Sequence, residues 1–151
     1  MTAPLLVFGW GNRSRGDDAL GPLLVEMLAA EMADALARGE IEFIDDYQLQ
    51  PEHALDLLGR QRVLFVDASF GAAAPFEVTA VRADETPAAV TTHALSPQAL
   101  LQVYRRVHGT EPPACTLLAV RGSAFELGAA PGEAAQRNLD AALVWARAWC
   151  G

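Results

Sequence analysis

A short apolar strand, a glycine-rich break and two adjacent acids near the start of the chain constrain its fold more than any other segment. Residues 5–8 form the apolar run, and Gly9-Trp10-Gly11-Asn12 follows it. Asp17 and Asp18 then stand directly before a helical apolar pattern. In an open α/β sheet, the loop that leaves the carboxyl end of the first strand is a usual place for a ligand. Either a cation compensates the two carboxylates, or they only cap and charge the first turn of the helix.

Length, charge and cysteine usage narrow the class of protein. The 151 residues are expected to form one domain, residues 1–151, and the formal net charge is -8. This charge argues against nucleic acid or an anionic membrane as a partner, because both require lysine and arginine. The two cysteines, Cys115 and Cys150, have neither metal-binding nor redox spacing, which favours a reduced, cytoplasmic setting. The apolar run near the N-terminus is too short for a signal peptide or a membrane span.

Strand-like and helix-like patterns alternate along the chain. Apolar runs predict strands at 5–8, 41–44, 62–66, 76–81 and 116–120, the fourth of them exposed as at a sheet edge. Helical spacing predicts helices at 19–38, 51–58, 98–107 and 133–149. Gly39 is expected to end the first helix, and Ser96-Pro97 to begin the third. The fold class is therefore α/β: a single-domain three-layer α/β/α sandwich with a five-stranded, mostly parallel sheet.

Polar side chains at the strand ends suggest a metal site. Asp18 follows the first strand, Asp67 ends the third, and His93 follows the fourth. Two carboxylates and one imidazole at the same sheet edge would form an open site for nickel or zinc. The ordinary alternatives are that Asp67 caps a turn and that His93 only bonds to Ser96 or a helix terminus. The other two histidines, His53 and His108, are interpreted as solvated surface residues.

A nucleotide-binding module is the competing interpretation. Gly9 and Gly11 follow a strand as in a dinucleotide fingerprint, and Asp45 could stand for the ribose-binding acid. The third glycine position holds Ser14, however, and the loop continues beyond it. The chain also has no phosphate loop, and none of its serines lies in a nucleophile elbow. The alternative is therefore a non-catalytic α/β nucleotide- or metal-binding module.

Four motifs follow one another along the chain: Gly9-Trp10-Gly11-Asn12, Asp17-Asp18-Ala19-Leu20-Gly21, Val66-Asp67-Ala68 and Thr92-His93-Ala94-Leu95-Ser96-Pro97. In their order and spacing, these motifs resemble those of the maturation endopeptidases of nickel-iron hydrogenases. The segments 45–52 and 120–128 also fall where that family has related segments. The resemblance covers nearly the whole chain.

The resemblance implies a function, a partner and a set of site residues. Members of this family cut a C-terminal extension from the hydrogenase large-subunit precursor after nickel insertion, and they are often classed as aspartic-type endopeptidases. The implied metal ligands are Asp18, Asp67 and His93, although some members carry the histidine near the position of Gln98. The nickel would be supplied by the precursor, and zinc or cadmium could substitute for it in a crystal. The protein is expected to act as a cytoplasmic monomer.

Two roles for the metal remain open. The metal could polarise the scissile carbonyl or activate a bound water. Alternatively, it could serve only as a docking contact while Asp18 or Asp67 acts as the general base.

Overall fold

A five-stranded sheet organises the computed structural model of the protein, which describes residues 1–83 and 95–151. The strands run in the order β2-β1-β3-β5-β4. β1 is parallel to β2 and β3, β3 is parallel to β5, and β4 lies antiparallel to β5 at one edge. This confirms the mostly parallel sheet and the exposed edge strand. The strands are β1 (Leu5–Trp10), β2 (Ile41–Asp46), β3 (Arg62–Ser69), β4 (Phe76–Val81) and β5 (Ala114–Arg121).

Helices cover both faces of the sheet. They are α1 (Leu20–Glu31), α2 (Ala33–Ala37), α3 (Pro97–His108) and α4 (Glu133–Cys150), with 3-10 helices at Gly16–Ala19 and Pro51–Leu55. On one face, α1 and α4 bury strand residues such as Val7 and Leu64. On the other face, α3 and the second 3-10 helix bury Leu6 and Phe65. Because alternate strand residues point to opposite faces, each continuous apolar run supplies both cores. The three-layer α/β/α prediction is confirmed.

The start and the end of α3 agree closely with the sequence expectation. The Ser96 hydroxyl accepts a hydrogen bond from the backbone N–H of Ala99 at 3.1 Å, and Pro97 occupies the first helical position. Gly109 ends α3 in the left-handed conformation, with a φ of 68°. An N-cap serine, a proline at the first position and a glycine after the last turn are the ordinary start and stop signals of a helix.

Several element boundaries differ from the sequence expectation. β1 and β2 each continue two residues beyond their predicted ends, so Gly9 and Trp10 lie within β1, and β5 begins two residues earlier and ends one residue later than predicted. The predicted helix over 19–38 is divided into α1 and α2 at Met32, whose φ of -103° and ψ of 26° are not helical. The predicted helix over 51–58 is a 3-10 helix of five residues. β3 does not end at Asp67 but continues to Ser69, because Asp67 and the two residues after it still pair with β5. Asp67 is therefore held by the sheet rather than by a loop.

Within residues 1–83 and 95–151, no helix is both long and apolar enough to cross a membrane.

Candidate active site at the carboxyl edge of the sheet

Gly21 allows the start of α1 to pack against the carboxyl ends of the two central strands. A Cβ atom at this position would lie 2.5 Å from the carbonyl oxygen of Trp10 and 2.8 Å from that of Val66. Real Cβ atoms do not approach backbone oxygens so closely, and these oxygens belong to β1 and β3, so they cannot easily move. Only glycine fits. The 3-10 helix before Gly21, which carries Asp18, is thereby held at the ends of β1 and β3.

The Asp18 carboxylate is fixed by the loop that follows β1. Its Oδ2 accepts a hydrogen bond from the backbone N–H of Asn12 at 2.7 Å. This contact requires Gly11, whose φ of 148° is rarely adopted by other residues and whose Cβ would overlap the Asp18 carbonyl oxygen. Asp18 therefore does not cap α1 through its side chain, although it lies in the first turn of the 3-10 helix that leads into α1. One oxygen is bound by the loop, and the side chain remains partly exposed.

Asp67 lies within the electrostatic reach of Asp18. Burial and, second, the negative charge of Asp18 raise the pKa of Asp67 from 3.8 to about 7, while the backbone N–H of Ala68 donates to it and opposes this shift. Like charges at close range disfavour a second ionisation, and partial burial reinforces the effect. A carboxyl group with a pKa near neutrality can accept or release a proton at physiological pH, as a general base or acid requires.

The third predicted ligand, His93, lies outside the described residues, so the three-residue site remains a prediction. Within residues 1–83 and 95–151, no group of three or more histidine, cysteine, aspartate or glutamate side chains is arranged to hold a metal ion. Asp18 and Asp67 together could supply two oxygen ligands. Such a pair suits a hard or borderline divalent cation, and a stable site would need further ligands from elsewhere.

Asp17 has a structural role that the sequence analysis did not identify. Its side chain is only 1% exposed, and its two oxygens accept hydrogen bonds from the backbone N–H groups of Ser123, Ala124 and Gly132 at 2.7–3.0 Å. These three bonds lower the pKa of Asp17, although burial alone would raise it. Gly132 is the residue that precedes α4. Asp17 therefore does not cap α1 but attaches the segment 122–132, termed here the β5–α4 loop, to the site.

The interpretation of His53 as a solvated surface residue is wrong, and His108 is half-buried. His53 is 8% exposed, its Nδ1 accepts a hydrogen bond from the backbone N–H of Gln50 at 2.8 Å, and its Nε2 lies 3.0 Å from Asp46 Oδ2. The His108 Nε2 lies 3.1 Å from the Ala54 carbonyl oxygen. The contacts of His53 with Asp46 and of His108 with Ala54 were not predicted, because these partners lie in other elements of the fold. The signal for His53 was its position three residues after Gln50, which completes a capping box.

A cleft lies at the ends of β1 and β2, beside Asn12. It has a volume of about 370 Å³ and is lined by Gly11, Asn12, Arg13, Pro22, Asp45, Asp46 and Tyr47. The Arg13 guanidinium reaches Asp45 Oδ2 at 2.8 Å and Glu26 Oε2 at 2.8 Å. The carboxylate proposed for a ribose hydroxyl is thus already bound by arginine. This contact argues against the dinucleotide-binding alternative.

Solved structures of hydrogenase maturation proteases have the same fold. The hydrogenase maturating endopeptidase HybD from E. coli is similar with a TM-score of 0.71 and 23% identity, over 99% of this chain and 91% of that one. The NiFe hydrogenase maturation protease HycI from Thermococcus kodakarensis KOD1 has a TM-score of 0.69 and 19% identity, over 95% and 90% of the two chains. The hydrogenase 2 maturation peptidase from a Thaumarchaeota archaeon has a TM-score of 0.67 and 21% identity, over 97% of each.

These likenesses establish the fold. No protein-family model matches the chain, and no curated protein sequence matches it. The resemblance to hydrogenase maturation endopeptidases that the sequence motifs indicate is confirmed as a likeness of fold over almost the whole chain. Activity has to be argued from the residues at the site.

Proposed function

We propose that this protein is an endopeptidase that removes the C-terminal extension of a nickel-iron hydrogenase large-subunit precursor after nickel insertion. Asp18, Asp67 and His93 are proposed to bind the nickel that the precursor carries. The metal is thus part of the substrate. The protein is proposed to act in the cytoplasm, as a monomer.

One observation carries this proposal: Asp18 and Asp67 lie at the carboxyl edge of β1 and β3, where burial and, second, the negative charge of Asp18 raise the pKa of Asp67 to about 7. A partly buried carboxyl group near a second negative charge is stabilised in its protonated form, and a cation bound by both groups would reverse this effect. An arrangement that costs stability in the free protein is more typical of a binding or catalytic site than of a structural one. The fold is also the one found in proteins named as hydrogenase maturation proteases.

The two acids could serve the cleavage reaction in either of two ways. As ligands, they would bind the precursor's metal and thereby hold the scissile bond in a fixed position next to the site. As a proton acceptor, Asp67 could take a proton from the attacking water, since its pKa is close to the working pH. Classification as an aspartic-type peptidase would require the second role.

Incubation of the purified protein with nickel-loaded and nickel-free precursor tests the proposal. The mass of the large subunit, measured over time, reports removal of the extension. We expect loss of the extension from the nickel-loaded precursor only. Equal processing of both forms would contradict metal recognition, and processing of neither form would contradict the peptidase function.

A matched pair of variants shows whether activity depends on the charge at the site or only on the net charge of the protein. Asp18→Asn removes a charge at the site, whereas Asp140→Asn removes one from an exposed position on α4. We expect Asp140→Asn to process the nickel-loaded precursor like the wild type and Asp18→Asn to lose most of the activity. Retained nucleotide on the purified protein would instead favour the binding-module alternative.

A further inference from the structure

An aromatic patch lies directly after β3, the strand that carries Asp67. Phe70 follows directly after β3, three residues beyond Asp67, and is 66% exposed. Its ring lies 6.4 Å from that of Phe125 in the β5–α4 loop, and the Arg121 guanidinium lies 5.6 Å from the Phe70 ring. We define these three residues as the aromatic patch. Leu127, in the same loop as Phe125, is 74% exposed.

Hydrogen bonds to the backbone fix the position of the patch. Asp17 binds the β5–α4 loop through three backbone N–H groups, and the Arg15 Nε donates to the Phe125 carbonyl oxygen at 3.1 Å. The Arg121 Nη1 donates to the Ala72 carbonyl oxygen at 2.9 Å. An apolar surface that is ordered before a partner arrives loses little conformational entropy on binding. Phe70 is exposed and Phe125 is half-buried, and aromatic side chains with arginine nearby are typical of binding surfaces.

Two arginines lie against the phenylalanines of the patch, in a protein with 19 acidic and 11 basic residues. The Arg121 guanidinium lies over the Phe70 ring and Arg15 donates to the Phe125 carbonyl oxygen, while the acidic Glu126 follows Phe125 in the loop. Positive charge beside an apolar surface favours a partner that combines an apolar group with a carboxylate. A second copy of this chain, with its net charge of -8, would bring two like-charged molecules together.

We infer that the aromatic patch binds the precursor on one side of the scissile bond, through a segment with a large apolar side chain and a neighbouring carboxylate. This inference rests on the proposed function. A precursor segment that lies over Asp18 and Asp67 can continue onto the patch. Ser69 directly precedes Phe70 and pairs with Arg121, so the patch begins where β3 and β5 end. An extended segment covers about 3.3 Å per residue, so a few residues connect the two places. Phe70 and Arg121 act in substrate binding and not in bond cleavage.

Steady-state processing of the nickel-loaded precursor by Phe70→Ser and Arg121→Gln tests the inference. Burial of one phenylalanine against a partner is worth about a tenfold change in affinity or more, so Phe70→Ser is expected to raise KM about tenfold with kcat little changed. Arg121→Gln is expected to raise KM less and to reduce its dependence on salt. The matched control is Val107→Ser on α3, where a 58% exposed apolar side chain lies away from the patch.

The outcomes separate this inference from the proposed function. Equal KM values for Phe70→Ser, Val107→Ser and the wild type would overturn the inference while leaving the peptidase function intact. If the wild type cleaves no precursor, the proposed function fails, and sedimentation of the mixed proteins then decides the inference alone. The inference is supported if the wild type binds the nickel-loaded precursor and Phe70→Ser binds it more weakly. It is overturned if the wild type forms a dimer and Phe70→Ser dissociates that dimer, since a second copy of the chain would then cover the patch.

Discussion

Replacement of Asp67 with asparagine is expected to stabilise the protein at alkaline pH in the absence of metal. The folded-state pKa of Asp67 is about 7, whereas its value in the unfolded chain is close to 3.8. Between these two values the folded protein holds a proton that the unfolded chain has released. The free energy of unfolding of the wild type therefore falls as the pH rises from the lower value through the higher one, and asparagine removes this penalty.

The size of the effect follows from the difference between the two pKa values. About three pH units correspond to an upper limit of about 4 kcal/mol, at 1.36 kcal/mol for each unit. Asp67 is partly exposed, so solvent screening reduces the effect. Between about pH 5 and about pH 8, we expect the stability advantage of Asp67→Asn over the wild type to grow by roughly 1–2 kcal/mol.

Urea denaturation of both proteins in the presence of a chelator measures this change. The midpoint and slope at the two pH values give the free energy of unfolding of each protein. Asp140→Asn on α4 is the control, because its exposed carboxylate is expected to give the same difference at both pH values. If the difference between Asp67→Asn and the wild type does not change with pH, or changes in the opposite direction, the argument about Asp18 and burial is wrong.

Two further substitutions test the local architecture by thermal or urea denaturation. Asp17→Asn is expected to destabilise the protein by about 2 kcal/mol at neutral pH, because it weakens three charge-assisted hydrogen bonds. Since the pKa of Asp17 is lowered, this loss should shrink as the pH falls through the folded-state pKa, and a loss that grows in acid would contradict its role. Gly21→Ala is expected to cost about 3 kcal/mol or more through overlap with two strand carbonyl oxygens, whereas Gly71→Ala, with open space around it, should change stability by less than about 0.5 kcal/mol. Equal effects of the two glycine substitutions would contradict the close packing of α1 on β1 and β3.

The sequence predicted the elements whose signals are local. The apolar runs of β1, β3 and β5 need no partner to be recognised, because strands buried on both faces are continuously apolar. The start of α3 was equally readable, since Ser96 and Pro97 act on the adjacent turn. The placement of Asp18 and Asp67 at one edge followed from parallel pairing of their strands.

Features that depend on distant partners were not predictable in this way. Asp17 and Asp18 are adjacent acids in the sequence, yet one is buried and the other is partly exposed. The difference arises because Asp17 binds Ser123 and Gly132, which are more than 100 positions away. The contact of His53 with Asp46 spans only seven positions, but it joins a 3-10 helix to the end of β2, so the two residues belong to different elements. No periodicity in one segment reports such contacts.

The rate at which Asp67→Asn processes the nickel-loaded precursor shows whether Asp18 and Asp67 act together on the metal. Asparagine keeps the shape of the side chain and a polar contact but removes the charge that would attract the metal and accept a proton. We expect this variant to fold, to resist urea at least as well as the wild type, and to release almost none of the extension from the precursor. Processing by Asp67→Asn at the wild-type rate would contradict a site in which Asp18 and Asp67 together recognise the metal.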